Sequence, residues 1–275
     1  MNYRHVFHAG NAADCLKHAL LVWLLRALRR KPAPFRVLDT HAGIGLYDLT
    51  APEAERTGEW RTGIGRLLGI TEGPLADYVA LTRDAGVPAR YPGSPALVRA
   101  LLREQDRLAC CELHPEDHAA LRAALRGDPR IALHHRDGWE ALRALTPFPE
   151  KRGLVLVDPP FEQEGEFDRM AQGIAMVSQR FRAAVQACWY PIKHRAPVRA
   201  FHTALRESGV RDMVAAELWL REPTDPQRLN GSGLLVVNPP WKFEEEGSAI
   251  LAALLAALGS GEAGQGWAMT RISDE

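Results

Sequence analysis

The chain has 275 residues, 46% of them apolar and 25% charged, and its 34 basic and 34 acidic side chains cancel. That profile fits a soluble globular protein of one large domain, or one domain with an insertion, and excludes a fibrous or low-complexity chain. A net charge of zero excludes a globally basic nucleic-acid binder, so any such partner must use a local patch.

The opening MNYRHVFHAG is polar, aromatic and His-rich, with no periodicity and no apolar signal-peptide core. Tyr3, Arg4, His5 and His8 mix stacking groups with cations, as single-stranded nucleic-acid sites do; a short terminal stretch of this kind also reads as a plain disordered tail. A helix is expected from Asn11, which can cap it, with Asp14 near the positive end of its dipole. Leu16, Leu20, Trp23, Leu24, Ala27 and Leu28 follow as one buried face. Arg26 breaks the apolar run well short of the roughly 18 residues that a membrane span needs.

FRVLD (35–39) reads as a short strand, followed by the glycine loop THAGIG. Residues 46–93 are irregular, rich in Gly and Pro, with short helical stretches. A helix starts near Ser94, with Ser94 as N-cap and Pro95 at the first helical position. RLACCEL (107–113) is the next strand. The strands 35–39 and 107–113 stand roughly 70 residues apart, where one crossover needs about 30, so 46–93 is expected to be an inserted helical subdomain. Downstream, RIALHHRDG, GLVLVDPPF and RAAVQACWYPI read as strands separated by helices. DMVAAELWL and GSGLLVVNPPW have no helical pattern between them and pair as an antiparallel hairpin at the sheet end. A C-terminal helix then frays into a Gly-rich tail. Alternating strands and helices imply an α/β protein with a mostly parallel, doubly wound sheet and an antiparallel last strand. Cys15, Cys110, Cys111 and Cys188 form no C-x-x-C and read as reduced core residues of an intracellular protein. No histidine pair has ligand spacing with cysteine or carboxylate partners, so no metal is expected.

Ligands of such sheets bind beyond the carboxyl ends of the strands. Asp39 ends the first strand, and Gly43 and Gly45 let the backbone approach a ligand. The loop lacks the G-x-G-x-x-G of a dinucleotide site and is closer to one that holds S-adenosylmethionine (SAM); it also reads as a tight structural turn. Glu112 can accept both ribose hydroxyls of a nucleoside. Asp137 and Gly138 end the third strand, where a carboxylate can take the exocyclic amine of the cofactor's adenine or simply make a β-turn. Asp158, Pro159, Pro160 and Phe161 end the fourth. An exocyclic amine on a base is a poor nucleophile because its lone pair is delocalised into the ring. It gains nucleophilicity when both N–H bonds are held by acceptors that favour a pyramidal nitrogen. Asp158 offers a carboxylate, Pro159 a stiffly placed carbonyl, and Phe161 a face on which a flipped base can stack. A second copy, NPPW at 238–241, fits the same loose pattern, but its place after the last strand favours DPPF as the catalytic one.

The order G-x-G, Glu, Asp-Gly, Asp-Pro-Pro-Phe resembles the amino-methylating branch of the class I SAM-dependent methyltransferases. YRHVFHAGNAADCLKH, LDTHAGIGLYDL, YPGSP, CELHP, RDGW, VDPPFE and NPPW together resemble the bacterial 23S ribosomal RNA adenine-N6 methyltransferases of the J type, along nearly the whole chain. The resemblance implies a Rossmann-like class I fold with an inserted helical subdomain, and SAM as cofactor. It implies that Lys17, His18, His41, Gly43, Ser94, Glu112, Asp137, Gly138 and Asp158 surround SAM. It gives Asp158 the catalytic role, with Pro159 and Phe161 beside it, and Tyr3 a contact to RNA, with Arg4 and His5 as neighbours. Phe161 departs from the Tyr that many amino-methyltransferases carry; stacking survives, but a hydroxyl contact is lost. The expected protein is a cytoplasmic monomer, one methyltransferase domain over 1–275, acting on a splayed-out adenine of 23S rRNA, with no membrane contact. Other readings are a DNA adenine or protein glutamine methyltransferase, a non-catalytic RNA-binding module and an NAD-dependent oxidoreductase.

Overall fold

The computed structural model describes residues 4–274. After a 3-10 turn at His5–Phe7, α1 runs over Ala12–Arg29, capped as expected by the Asn11 side chain, which accepts from the Asp14 N–H. β1 (Arg36–Asp39) leads through the glycine loop to β2 (Leu46–Tyr47). Four short helices follow: α2 (Pro52–Thr57), α3 (Glu59–Thr62), α4 (Ile64–Leu67) and α5 (Ala76–Ala85). β3 (Tyr91–Pro92) then pairs antiparallel with β2. This two-residue ladder brings the two ends of the irregular stretch together. The stretch packs its Leu49, Ile64, Leu67, Tyr78 and Tyr91 into the same core cluster as the buried face of α1.

α6 covers Ser94–Leu101. Its cap position is Gly93, one residue before the expected Ser94, and the Ser94 hydroxyl is spent elsewhere, on the Asp39 carboxylate at 2.6 Å. A hydroxyl that finds a buried carboxylate gains more than one bonded to its own helix end. The chain continues as β4 (Arg107–Glu112), α7 (Pro115–Ala124), β5 (Ile131–His135), α8 (Gly138–Ala144), β6 (Gly153–Val157) and α9 (Glu166–Arg180). It ends with β7 (Ala184–Ile192), α10 (Arg195–Glu207), β8 (Met213–Trp219), β9 (Gly231–Val237), α11 (Phe243–Leu258) and β10 (Gly266–Ser273).

The strands form one eight-stranded sheet in the order β10-β8-β9-β7-β6-β1-β4-β5. β5, β4, β1, β6 and β7 are mutually parallel, and β9 enters antiparallel between β7 and β8. β6 shows why the centre reads as a continuous apolar run. Its five residues are all buried, Leu154 and Leu156 on the face covered by α1, α6 and α11, Val155 and Val157 on the face covered by α8, α9 and α10. A strand covered on both faces has no polar position to alternate with. The expected Gly-rich tail is a correction, since Gly266–Ser273 forms β10, antiparallel to β8 at the sheet edge. An edge strand keeps one side in water, so its pattern is diluted by polar residues. Arg271, which points out to Asp212 and Glu244, is one of them.

The chain leaves β1 toward β4 and β5, then crosses back to β6 and β7, so the switch point lies between β1 and β6. The parallel strands all end on the same edge. β9 runs the other way, which carries Asn238 and the rest of NPPW to the opposite edge. There the Asn238 amide donates to the Arg182 and Ala184 carbonyls at the start of β7. Its backbone sits in the left-handed region, with φ +50, which asparagine tolerates better than most residues. Asn238→Ala is therefore expected to cost about 1–3 kcal/mol in urea unfolding, with methyl transfer per folded molecule unchanged; lost transfer at wild-type stability would return NPPW to the catalytic site.

Candidate active site

A cavity of about 990 Å³ opens at the edge where the parallel strands end. Lys17, His18, His41, Gly43, Ser94, Glu112, Asp137, Gly138, Asp158, Pro159 and Phe161 all line it, as does His5. Arg4 does not; its guanidinium lies 3.5 Å from both Glu116 and Asp117. Tyr3 lies outside the described residues.

The β4 end supplies Glu112. Its Oε2 accepts the Gly43 N–H at 2.9 Å and its Oε1 the His114 N–H at 2.8 Å. Burial raises its pKa, and those two N–H groups oppose the rise. The glycine loop is packed closely here. Gly43 has φ +59, and a Cβ on it would sit 2.3 Å from the Tyr47 hydroxyl. Past β5, Asp137 is the N-cap of α8, its Oδ1 accepting from Trp139 and Glu140. A Cβ on Gly138 would meet the Thr40 carbonyl at 2.2 Å and the His41 ring at 2.8 Å, so only glycine lets β1 and α8 close on this wall. His41 packs edge-on against Trp139, with centroids 5.5 Å apart.

Asp39 ends β1 fully buried. It receives the Ser94 hydroxyl on Oδ2, while Oδ1 has no partner. Burial raises its pKa to about 7, with the Ser94 bond pulling the other way. His18 sits on α1 with Nδ1 2.8 Å from the Tyr91 hydroxyl, and burial lowers its pKa to about 3. His41 is lowered to about 4 by burial, against the pull of Asp158 and Asp137. Both imidazoles are therefore neutral near pH 7.

Beyond β6, the DPPF turn bends through Phe161, whose φ of +51 lies in the left-handed region. Holding a bulky residue there costs about 1–3 kcal/mol, a strain of the sort found at functional turns. The Phe161 ring meets Phe167 at 4.9 Å and Trp189 at 6.0 Å, both edge-on. The Asp158 carboxylate takes the Lys17 ammonium on Oδ2 at 2.5 Å. The same ammonium reaches Asp14 Oδ1 at 2.9 Å. Lys17 is 5% exposed and Asp14 only 1%. Burial pushes the lysine pKa down, but the two carboxylates outweigh it and hold it above the ordinary value. Burial likewise pushes Asp14 up, while His5, Lys17 and His18 hold it well below the usual carboxylate range. Lys17 is thus a fixed cation and no proton acceptor, and it leaves Asp158 Oδ1 for another donor.

Asp14 is the residue that sequence reasoning undervalued. It reads as a dipole partner of α1, yet its Oδ2 accepts the Gly10 N–H and lies 3.0 Å from His5 Nε2. The i, i+3 spacing of Asp14 and Lys17 was the available signal. Trp189 and Lys193 of the cavity wall, and Arg228 and Asn230 from the loop before β9, gave no sequence signal, because only the sheet order brings them to this edge. Among the described residues, no group of three or more His, Cys, Asp or Glu could hold a metal ion.

A mostly parallel sheet in this order, with β9 reversed between β7 and β8 and its carboxylates gathered at the switch point, is that of a class I SAM-dependent methyltransferase. A crystal structure of a Legionella pneumophila str. Philadelphia 1 protein has the same fold, with a TM-score of 0.87 and 31% identity, over 96% of this chain and 98% of that one. The chain belongs to the family described as ribosomal RNA large subunit methyltransferase D, RlmJ, whose model matches residues 32–270. Ribosomal RNA large subunit methyltransferase J of Escherichia coli (strain K12) is 38% identical over 97% of this chain and 98% of its own length. The Haemophilus influenzae protein of the same name is 38% identical over 94% of each.

Two stability measurements check the electrostatics. Lys17→Met leaves the buried Asp14 and the half-buried Asp158 without their shared cation and should cost about 3–5 kcal/mol; adding Asp14→Asn should recover part of it, and full additivity in the urea double-mutant cycle would refute the coupling. Because the folded pKa values of His18 and His41 lie below their unfolded value, the unfolded chain binds the extra protons. Stability is then fully present above about pH 6.5 and falls toward pH 4, by up to about 1.4 kcal/mol per unit for each histidine. His18→Gln should flatten that slope in urea unfolding at pH 7 and pH 5; an unchanged slope would count against a neutral buried His18.

Proposed function

We propose that this chain transfers a methyl group from SAM to N6 of an adenine in 23S rRNA, with Asp158 as the catalytic carboxylate. The observation that carries the reading is the Asp158 carboxylate itself. It stands at a strand end beside Pro159 and Phe161, one oxygen tied to Lys17, in the same cavity as Glu112 and Asp137.

The donor set fits SAM. Each Glu112 oxygen already takes one backbone N–H, which orients the carboxylate and leaves a lone pair on each for a ribose hydroxyl. Asp137 keeps Oδ2 for an exocyclic amine while Oδ1 caps α8. Lys17, His18, His41, Gly43, Ser94 and Gly138 complete the surrounding wall. SAM, when bound, supplies an electrophilic methyl group.

The chain's own part is orientation and amine activation. Asp158 Oδ1 and the Pro159 carbonyl accept the two N–H bonds of the target amine and favour its pyramidal form. Phe161 stacks on the base. Lys17, permanently charged, pins the carboxylate so that its free oxygen faces the amine. Asp158 is the nearest acceptor for the proton that the methylated nitrogen sheds. Arg4, His5 and, beyond the described residues, Tyr3 are read as RNA contacts of the first ten residues, and 46–93 as a helical subdomain inserted in a single domain over 1–275. Among the described residues, no helix is long and apolar enough to cross a membrane. We take the protein to act as a cytoplasmic monomer.

Asp158→Ala should abolish methyl transfer while SAM affinity stays within a few fold. Calorimetry and a labelled-SAM assay on protein-free 23S rRNA, duplex DNA and cell protein provide the measurement. Near-normal turnover in the variant, or transfer to DNA or protein alone, would overturn the reading. Mass-spectrometric mapping of rRNA from a strain lacking the protein should show one N6-methyladenine missing.

A further inference from the structure

A second cavity, of about 760 Å³, lies between α8 and α9. Three arginines line it: Arg143 from α8, and Arg169 and Arg180 from α9. Among the described residues, no carboxylate comes within 4.0 Å of any of these guanidinium groups, whereas Arg36, Arg103, Arg130, Arg195 and Arg271 all have one. Glu140 is the single acidic residue of the wall. The groove adjoins the catalytic cavity, because Trp139 and Arg169 line both.

The arrangement follows from helix periodicity. Arg169, Gly173, Met176 and Arg180 recur at i, i+4, i+7 and i+11, so they share one face of α9 over about 16 Å. Gly173 forms the floor. A Cβ there would sit 2.9 Å from the Leu142 Cδ1 of α8, so its absence lets the helices close beneath the groove. The guanidinium of Arg169 lies over the Trp139 ring, 5.9 Å from its centroid. Arg180 donates to the Arg143 carbonyl at 2.9 Å and reaches the Met176 sulfur at 3.9 Å. Arg169 donates to the Gln163 side chain at 3.4 Å. None of these bonds is made to a carboxylate.

We propose that this groove carries the single-stranded RNA flank of the target nucleotide, with phosphates on Arg143, Arg169 and Arg180 and a neighbouring base against Trp139. The proposal rests on the RNA methyltransferase reading of the adjoining site. Guanidinium groups bind phosphate by paired, charge-assisted hydrogen bonds. A base splayed into the catalytic cavity pulls its neighbours out of any helix, and an aromatic ring at the cavity mouth offers them a stacking surface. The row's net positive charge and its start beside the cavity favour a polyanion, whose phosphates repeat along the chain as the arginines repeat along the helix.

The test uses the full chain with Arg143→Gln, Arg169→Gln and Arg180→Gln combined, beside a charge-matched control. The control is Arg29→Gln, Arg30→Gln and Lys31→Gln, at the far end of α1 from the cavity. SAM titration by calorimetry shows that each variant is folded. With a protein-free 23S rRNA fragment carrying the target adenine, the groove variant should raise KM by about tenfold. Its slope of log affinity against log salt should fall by about 2, from roughly 0.7 for each lost single-strand phosphate contact. The control should keep the wild-type KM and slope. An unchanged KM and slope in the groove variant would overturn the proposal, as would an equal loss in the control, which would make the effect one of bulk charge. Wild-type protein that methylates no rRNA would instead remove the underlying function, so the two failures are distinguishable.

Discussion

Lys17 carries its ammonium into the interior, and two carboxylates from distant parts of the chain hold it there. Asp14 lies one helical turn earlier on α1, and Asp158 ends β6, 141 residues later in sequence. Removing one partner of a buried cation carries a cost, so the three groups are energetically coupled. The contact occupies one Asp158 oxygen and leaves the other toward the cavity. It also ties the DPPF turn to the start of α1, and through Asp14 to Gly10 and His5. The first residues, the first helix and the DPPF turn are thereby one connected unit, although no local rule links them.

That unit works because of where the sheet puts it. Parallel strands deliver all their carboxyl ends to one edge, and the reversal of strand order between β1 and β6 opens a cleft there. Glu112, Asp137 and Asp158 meet across this cleft from three different strand ends. The same geometry removes NPPW, because one antiparallel strand is enough to send its end to the far side, where Asn238 serves the backbone of β7 instead.

The parts legible in sequence share a physical origin. β6 was visible because burial on both faces leaves only apolar residues, and α1 because its buried stripe repeats at helical spacing. The strand-end carboxylates were visible because each breaks an apolar run with a charge, and the relatives at 38% identity bear out the family that this order resembles. β10 was missed because an edge strand half in water has no such pattern. Ser94 was read as a helix cap because local rules know nothing of Asp39, 55 residues away, which takes its hydroxyl.

By itself the sequence determined the fold class, the strand-end carboxylates and the family, since these depend on period, composition and order along the chain. Only the tertiary structure decided that Asp14 is buried and shares Lys17 with Asp158. It alone decided that β9 runs backwards past the site, and that Arg143 faces Arg169 and Arg180 across one groove. These are contacts between segments far apart in the chain, set by sheet order and helix packing, and a linear pattern holds no record of which side chains will meet.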